Sequence, residues 1–324
     1  MNVAIIGCGT MGKLHAAMAV KCGLKVTVCA DIMQKSANEL AKEYGAVSMH
    51  NGLPALARDD VDIVVVATPT PSHAALVQAA AKEGKHIFCE KPFCRTVAEC
   101  KATVDVANKY GVKLFIGHVV RYFQEFEAVR NQIQNGVIGD AGFARLYRGG
   151  AYPAGEDNWF RNYKVSGGVT LDCMIHDLDW IRFVFGEPER IFCQALQRTT
   201  PEYLDYSQVT MRMKSGLIAK VIGTWAHPSG FHVMIEVCGS KGMVQFDSND
   251  APLSSQRRQD GAAVGTIVPG SPVLKSPYLL EWEDFIGWLN NKHDPKVTPE
   301  DGLRAVAMAT AALKSVETQE PVNL

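Results

Sequence analysis

The sequence has no C-x-x-C pair, no long apolar run and no excess of either charge. Its 33 lysines and arginines stand against 34 aspartates and glutamates, so no strong field attracts nucleic acid or an anionic membrane. No apolar run approaches the ~20 residues of a membrane span. The nine cysteines are scattered and match no common zinc spacing, which is typical of reduced cytosolic thiols. We therefore expect a small-molecule partner, with no nucleic acid, no membrane and no bound metal.

The chain also lacks the features of a secretory leader. It begins directly with a strand pattern and has neither a basic segment nor a small-residue cleavage site, so we expect a cytoplasmic protein. A length of 324 residues suits two domains. With 47% hydrophobic and 21% charged residues, the composition is that of an ordinary soluble globular protein.

The most informative stretch lies at the N-terminus. A short β-branched strand, Val3 to Ile6, is followed by a glycine-rich turn and then by helical periodicity to Lys21. In the dinucleotide-binding fingerprint, such glycines permit a tight turn, close approach to a pyrophosphate, and packing of the helix on the strand. The helix N-terminus supplies unpaired N–H groups and a positive dipole end. The predicted cofactor-binding residues of this turn are Gly7, Gly9, Thr10, Met11 and Gly12.

Asp31 closes the next apolar run, Lys25 to Ala30. It stands where the fingerprint has a carboxylate that accepts hydrogen bonds from the adenosine ribose and repels a 2′-phosphate. We therefore predict that Asp31 binds the cofactor and that the cofactor is NAD. Lys35 is close enough in sequence to serve a phosphate, so NADP stays open.

Strand and helix patterns alternate through the first third of the chain. The β-branched run Val61 to Ala67 is typical of a parallel strand covered on both faces, and His86 to Cys89 and Lys113 to Gly117 are further strands. Helical periodicity fills the segments between them. Repeated units of this kind predict a doubly wound parallel sheet, a Rossmann dinucleotide-binding domain over residues 1–118.

Turns after these strands are predicted to border the cofactor, because ligands of open α/β sheets bind at the carboxyl ends of the strands. One turn is Thr68-Pro69-Thr70-Pro71, followed by His73, for which simple helix-start chemistry is the alternative. The other is Glu90-Lys91-Pro92, in which the proline fixes the backbone beside the lysine. The ordinary alternative for Lys91 is a solvated surface side chain. The predicted cofactor contacts from these turns are Thr68, Pro69, His73, Glu90 and Lys91.

The pattern changes beyond His118. Several strand-like segments lie between Arg190 and Phe246, joined by glycine and charged turns, while helices lie elsewhere. This order predicts an α+β domain over residues 119–324 with a mostly antiparallel, open sheet. The segment LIAKVIGTWA is apolar on both sides, so we expect a sheet face to form a homodimer or homotetramer interface. Residues 251–276 are predicted to form an irregular excursion.

Three ionisable residues recur at helical spacing on the predicted helix Val169 to Phe185. Asp172, His176 and Asp179 stand at i, i+4 and i+7 and therefore share one face. A carboxylate one turn from an imidazole can orient it and raise its basicity, as proton abstraction from a hydroxyl requires. A divalent metal site and a purely structural pair are the alternatives for the same spacing.

Several motifs together resemble one family. These are GCGTMG, TPTPSH, Glu90-Lys91-Pro92, and Gly167-Gly168 ahead of D-x-x-x-H-x-x-D. They are similar to those of the glucose-fructose oxidoreductase, inositol dehydrogenase and MocA family of NAD(P)-dependent oxidoreductases, and the likeness covers essentially the whole chain. The resemblance implies that Lys91 bonds the reacting hydroxyl, that His176 is the acid/base, and that Asp172 contacts substrate or supports His176. It also implies a cis peptide bond between Lys91 and Pro92.

The resemblance extends to loops around the expected site. Trp159 and Arg161 resemble a W-x-R loop that reaches the active site, where we expect them to contact the cofactor. His118 and Arg121 resemble a variant of the turn into the second domain. The expected substrate contacts are Lys91, Arg121, Tyr152, Asp172 and His176.

The expected reaction is oxidation of a ring CHOH group of a sugar, sugar derivative or cyclitol, as in an inositol dehydrogenase. One alternative is reduction of a non-sugar ring, an imine or a dihydrodiol. Another is a non-catalytic NAD-binding sensor. The presence of Lys91, Asp172 and His176 together favours alcohol chemistry over both.

Overall fold

A computed structural model describes residues 1–153, 156–196, 205–228, 230–250 and 275–324, without the side chains of 156–158. The chain divides into two compact units. The first comprises Met1–Tyr122 with Pro272–Val306, and the second comprises Phe123–Ser271 with Ala307–Leu324. The predicted division into functional domains after residue 118 stays a prediction.

The first unit is built on a six-stranded parallel sheet in the order β3-β2-β1-β4-β5-β6. This order confirms the predicted doubly wound sheet. The strand order reverses between the neighbours β1 and β4, because the connection from β3 to β4 carries the chain back across the sheet. Every residue of β4 is buried, as expected for a strand covered on both faces. The strands are β1 Asn2–Ile6, β2 Lys25–Ala30, β3 Val47–Met49, β4 Ile63–Val66, β5 His86–Glu90 and β6 Leu114–Gly117.

Helices connect these strands. Thr96 and Glu99 form the reciprocal capping box that starts α5, which explains where that helix begins. The helices are α1 Thr10–Lys21, α2 Gln34–Tyr44, α3 Gly52–Leu56, α4 His73–Lys82 and α5 Val97–Lys109. A short 3₁₀ turn, Thr70–Ser72, precedes α4, and another, Val119–Tyr122, follows β6.

The second unit is built on a seven-stranded sheet in the order β12-β11-β7-β10-β9-β8-β13. Strands β7 and β10 are parallel and the other neighbours are antiparallel, which confirms the mostly antiparallel sheet. The strands are β7 Ala141–Gly149, β8 Pro188–Leu196, β9 Tyr206–Met213, β10 Ile218–Thr224, β11 His232–Gly239, β12 Gly242–Asp247 and β13 Val322–Asn323. The helices that follow α5 are α6 Gln124–Gln134, α7 Tyr163–Ser166, α8 Gly168–Asp172, α9 Ile175–Phe185, α10 Pro277–Leu289 and α11 Pro299–Thr318.

Helix α10 completes the core of the first unit, although it lies far along the chain. Trp282 is fully buried and stacks on Phe88 of β5, with ring centroids 5.1 Å apart. Phe285 meets both Phe88 and Phe115 within 5.6 Å. Burial of such aromatic side chains contributes roughly 1.5–3 kcal/mol each.

The structure does not test two of the predictions, the irregular excursion and the cytoplasmic location. The irregular excursion predicted at residues 251–276 lies almost wholly outside the described residues. Within the described part of the chain, no helix combines the length and apolarity of a membrane span. The cytoplasmic location stays a prediction.

Candidate active site

The glycine-rich turn between β1 and α1 is shaped by backbone contacts. Gly7 has φ +93°, and a Cβ there would lie 2.5 Å from the carbonyl oxygen of Ala67. A Cβ at Gly12 would overlap the Gly7 carbonyl. At Gly9, in contrast, a Cβ would meet nothing within 4 Å. Backbone atoms therefore crowd the turn at Gly7 and Gly12, whereas the space around Gly9 is open. A ligand can approach the Gly9 backbone there.

The N-terminus of α1 has the properties of an anion site. Gly9 is its N-cap, no side chain caps it, and its first turn contains no acidic residue. Thr10 and Met11 continue the helix from this cap, at the end where backbone N–H groups lack intrahelical partners. The positive end of the helix dipole and these donors fit a pyrophosphate, so the turn fits the dinucleotide predicted for it.

Asp31 follows β2 directly and faces the same turn. Its Oδ2 accepts a hydrogen bond from the Cys8 N–H at 2.6 Å, and its Oδ1 accepts one from the Met33 N–H at 2.8 Å. A carboxylate can accept further hydrogen bonds, so the ribose assignment is compatible with this geometry. The contact with Cys8 adds a second role, because it fixes the glycine turn to the end of β2. The side chain of Lys35 is 87% exposed, on α2.

His73 joins the turns that follow β4 and β5. Its Nε2 lies 2.7 Å from the Thr68 carbonyl oxygen, and its Nδ1 lies 2.9 Å from the Pro92 carbonyl oxygen. The ring is fully buried, which lowers the pKa of His73, although both carbonyls act in the opposite direction. These contacts favour a structural tie between two turns. Cofactor contact by Thr68, Pro69 and His73 stays a prediction.

The Glu90-Lys91-Pro92 turn stands at the carboxyl end of β5. Its Lys91–Pro92 peptide bond is cis, as the resemblance implies. Glu90 is buried and accepts hydrogen bonds from the Lys91 N–H at 3.0 Å and from His15 Nε2 at 2.7 Å. Burial raises the pKa of Glu90, but the His15 contact and the Lys91 charge outweigh it and bring the pKa below its usual value. Glu90 is therefore an ionised carboxylate beside a half-buried lysine.

The predicted continuous helix Val169–Phe185 is wrong. The carbonyl of Val169 accepts hydrogen bonds from both Cys173 N–H at 3.0 Å and Met174 N–H at 2.9 Å. The second bond closes a wider turn than an α-helix has, and two residues, Cys173 and Met174, separate α8 from α9. Asp172 is consequently the last residue of α8, whereas His176 is the second of α9. Their i, i+4 spacing does not place them on one regular helical face.

Helix α9, which carries His176, is anchored to the sheet of the second unit. Arg148 of β7 donates two hydrogen bonds to Asp177, at 2.6 and 2.9 Å, and both side chains are buried. Just before α9, Met174 fills the space that a side chain at Gly223 of β10 would need. These contacts fix the start of α9, and with it the position of His176 within the unit.

The remaining predicted residues have varied surroundings. Trp159 stacks on Phe160 at 4.0 Å between ring centroids, and Tyr152 meets Trp225 edge-on at 5.2 Å. Arg161 is exposed.

Arg121, in the first unit, is buried. Its guanidinium lies 3.1 Å from an Asp301 oxygen and donates to the Lys296 carbonyl at 2.7 Å. These contacts favour a structural role for Arg121, and its contact with substrate stays a prediction.

The metal alternative for Asp172, His176 and Asp179 gains no support. Among the residues that the structure describes, no group of three or more histidine, cysteine and acidic side chains is arranged to hold a metal ion. Asp179 is almost fully buried on α9.

Comparison with known proteins identifies the class. Residues 1–118 match the family model described as an oxidoreductase family with an NAD-binding Rossmann fold, and residues 126–245 match the GFO/IDH/MocA C-terminal domain. The chain belongs to this family of NAD-binding oxidoreductases. The expected family, fold class, enzyme class and NAD cofactor are thereby confirmed.

Relatives match over their whole lengths. Myo-inositol 2-dehydrogenase of Thermotoga maritima is 29% identical over 100% of this chain and 98% of its own. Inositol 2-dehydrogenase of Rhizobium meliloti is 30% identical, over 100% and 99%. The crystal structure of a myo-inositol dehydrogenase from Corynebacterium glutamicum superimposes with a TM-score of 0.82 at 26% identity, over 100% of this chain and 98% of that one.

Proposed function

We propose that this protein is an NAD-dependent dehydrogenase that interconverts a ring CHOH group of a cyclitol or sugar with the corresponding ketone. Its family membership and its full-length similarity to proteins named inositol 2-dehydrogenase support the proposal. The observation that carries it is the position of Lys91. Strands β1, β4 and β5 are neighbours in a parallel sheet, so the glycine turn and the Lys91 turn open at the same edge.

In the proposed reaction, His176 accepts the proton of the substrate hydroxyl as general base. The Lys91 ammonium donates a hydrogen bond to the same oxygen and stabilises the negative charge that develops there. Asp172 contacts the substrate or supports His176. Bound NAD supplies the hydride acceptor at C4 of its nicotinamide ring. In the reverse direction, Lys91 polarises the ketone and His176 returns the proton.

The cofactor-binding part of the proposal divides into backbone and side-chain roles. Gly7, Gly9 and Gly12, with the N–H groups of Thr10 and Met11, hold the pyrophosphate, and Asp31 accepts hydrogen bonds from the ribose. The further proposed contacts with the cofactor are Thr68, Pro69, His73, Glu90, Lys91, Trp159 and Arg161. The proposed substrate contacts are Lys91, Arg121, Tyr152, Asp172 and His176.

The test is an absorbance assay at the reduced nicotinamide band. The purified protein, with NAD and separately with NADP, is given inositols, hexoses, amino sugars and uronic acids. We expect NAD reduction with one stereochemical group of polyols, inositols foremost. If the protein binds NAD in a fluorescence titration but no compound of the panel increases the absorbance of reduced nicotinamide, the proposed substrate class is contradicted.

We also propose that the protein forms a homodimer or homotetramer through the sheet of the second unit. Strand β10 alternates buried residues with half-buried ones such as Lys220 and Ile222, so the outer face of this strand is only partly covered within the chain. Sedimentation of the protein should give a multiple of the 35.4 kDa chain mass. A monomer at micromolar concentration would contradict the interface.

A further inference from the structure

Asp172 stands at the end of a helix that is too short to be stable alone. Helix α8 has five residues, Gly168–Asp172, whereas isolated helices shorter than about 12–15 residues are marginal in water. Its first four residues are buried, and Asp172 is half-buried. Contacts with the rest of the second unit must therefore determine where Asp172 lies.

The start of α8 is fixed by two local hydrogen bonds. The Ser166 hydroxyl donates to the Phe160 carbonyl at 3.0 Å and accepts from the Gly168 N–H at 3.0 Å. Ser166 is fully buried. Because Ser166 and Phe160 closely precede α8 in the chain, these bonds shape the loop before the helix but do not join the helix to the sheet.

A hydrogen bond between two buried hydroxyls joins α8 to the sheet. Thr170 Oγ1 donates to Ser207 Oγ of β9 at 2.8 Å, and both residues are fully buried. Thr170 lies between Val169 and Leu171, which are also fully buried. Ser207 begins the buried row of β9, whose other members are valine and methionine. Each hydroxyl is thus a polar group among apolar neighbours, and buried groups of this kind need a hydrogen-bond partner.

The bond between Thr170 and Ser207 continues into a line of polar contacts across the sheet. Ser207 Oγ lies 3.3 Å from Cys193 Sγ on the neighbouring strand β8. The Cys193 N–H donates to Ser315 Oγ of α11 at 3.0 Å, and Ser315 Oγ donates to the Glu320 carbonyl at 2.7 Å. The hydroxyl that accepts from Thr170 is therefore itself held in place by a buried network.

The geometry of α8 links Thr170 to Asp172. The two residues are two positions apart, which is roughly 200° of rotation around a helix axis, so their side chains point to opposite sides. This agrees with the burial of Thr170 against the sheet and the half-exposure of Asp172. The regular helix ends at Asp172, because the Val169 carbonyl then accepts the wider bond from Met174. A displacement of Thr170 therefore moves Asp172 directly.

We infer that Thr170 and Ser207 are positioning residues, whose hydrogen bond holds α8 on the sheet and so keeps the Asp172 carboxylate where it contacts substrate or supports His176. The inference rests on the proposed function, since it needs Asp172 to act in the reaction. Its structural part, the anchoring of α8, concerns the free protein. A misplacement of about 1 Å can lower a rate by ~10²-fold, so a bond away from the reacting atoms can control turnover.

The first test follows α8 by hydrogen exchange mass spectrometry, without substrate or cofactor. Thr170→Val keeps the size of the side chain and removes the hydroxyl. We expect the amides of Cys173 and Met174, which bond the Val169 carbonyl, to exchange about fivefold faster or more in this variant. Thr170→Ser keeps the hydroxyl and should restore most of the wild-type rate. An unchanged rate in Thr170→Val would overturn the inference.

Thr310→Val is the matched control. Thr310 lies on α11 in the same unit, and its hydroxyl is buried without a hydrogen-bond partner among the residues that the structure describes. The same atoms change, but no hydrogen bond is lost. We expect wild-type exchange in α8 and wild-type turnover. An effect on α8 as large as that of Thr170→Val would overturn the assignment to the bond between Thr170 and Ser207.

Ser207→Ala removes the same bond from the side of the sheet and covers the case in which Thr170→Val fails to fold. We expect α8 to exchange faster in Ser207→Ala than in the wild type. The double variant with Thr170→Val should exchange no faster than Ser207→Ala, because one bond can be lost only once. Wild-type exchange in Ser207→Ala, or effects of the two substitutions that multiply in the double variant, would overturn the inference.

Turnover supplies the last readout, once a substrate is known. We expect Thr170→Val to lower kcat by between about 10-fold and 10²-fold and to leave the NAD dissociation constant unchanged. In an Asp172→Asn background, Thr170→Val should lower kcat by less than about threefold, because the carboxylate that it positions is gone. Equal losses in both backgrounds would overturn the inference. If α8 exchange responds as expected but the wild type oxidises no polyol, the proposed function fails and the anchoring of α8 stands.

Discussion

The ion pair between Arg148 and Asp177 gives a stability prediction that can be worked out from the structure. It has two hydrogen bonds, of 2.6 and 2.9 Å, between side chains that are 5% and 1% exposed. Removing one partner of such a pair leaves a buried charge uncompensated, which costs about 3–5 kcal/mol. Arg148 also lies 5.6 Å from the ring centroid of Phe231 and 6.0 Å from that of Phe126. Since each cation–π contact adds about 0.5–1 kcal/mol, Arg148→Met should fall near the upper end of that range.

The assay is a double-mutant cycle. Urea unfolding, followed by tryptophan fluorescence, gives the free energy of unfolding for the wild type, Arg148→Met, Asp177→Leu and the double variant. We expect each single variant to lose several kcal/mol and the double variant to lose far less than their sum, because it buries no lone charge. Losses that add to within about 0.5 kcal/mol would refute the claim that this pair is a coupled, buried anchor for α9.

Three further predictions concern chemistry, cofactor choice and pH. Lys91→Ala and His176→Ala should each lower kcat by ~10² to 10⁴, the range for a lost acid–base group, and wild-type turnover in both would exclude the site. His176→Ala, which lies outside the proposed cofactor contacts, should also leave the NAD dissociation constant unchanged in a fluorescence titration. Asp31→Ala should weaken NAD binding and lower the ratio of kcat/KM with NAD to kcat/KM with NADP. An unchanged ratio in this variant would exclude the ribose contact. Burial raises the pKa of Asp301, but the Arg121 charge and hydrogen bonds outweigh it and hold the pKa well below its usual value. The stability that Asp301 contributes is therefore present above about pH 4, the pKa of an unfolded aspartate, and is lost as the pH falls below it. The urea midpoint of Asp301→Asn should vary less over that acid range than that of the wild type, and equal slopes would contradict the pairing.

The sequence predicts the first sheet well because its information is local. About thirty residues contain all the signals: a β-branched run, a glycine turn, and an acidic residue after the next strand. The structure has β1, α1 and β2 at the positions that these signals predict. The capping box at Thr96 and Glu99 likewise depends on residues close in sequence. Most strands of the second unit are predicted from strand-like segments joined by glycine and charged turns, but the parallel pairing of β7 with β10 joins distant segments and has no such local signal.

What the sequence misses around the site is also explained by distance along the chain. Trp282 Nε1 donates a hydrogen bond to His15 Nδ1 from 267 residues away, a contact that no local sequence pattern reveals. The wider turn after Val169 depends on one additional hydrogen bond, which regular spacing cannot reveal. Arg121 illustrates a different limit, since the sequence places it in the turn into the second domain and does not show its carboxylate partner, Asp301.

Direct hydride transfer is the central claim, and isotope transfer tests it most directly. The protein is incubated with NAD and myo-inositol that carries deuterium on every ring carbon, and the reduced cofactor is weighed by mass spectrometry. The account predicts one deuterium in each reduced cofactor molecule and loss of this product in Lys91→Ala and His176→Ala. A reduced cofactor that carries only protium, or product formation undiminished in both variants, would contradict it.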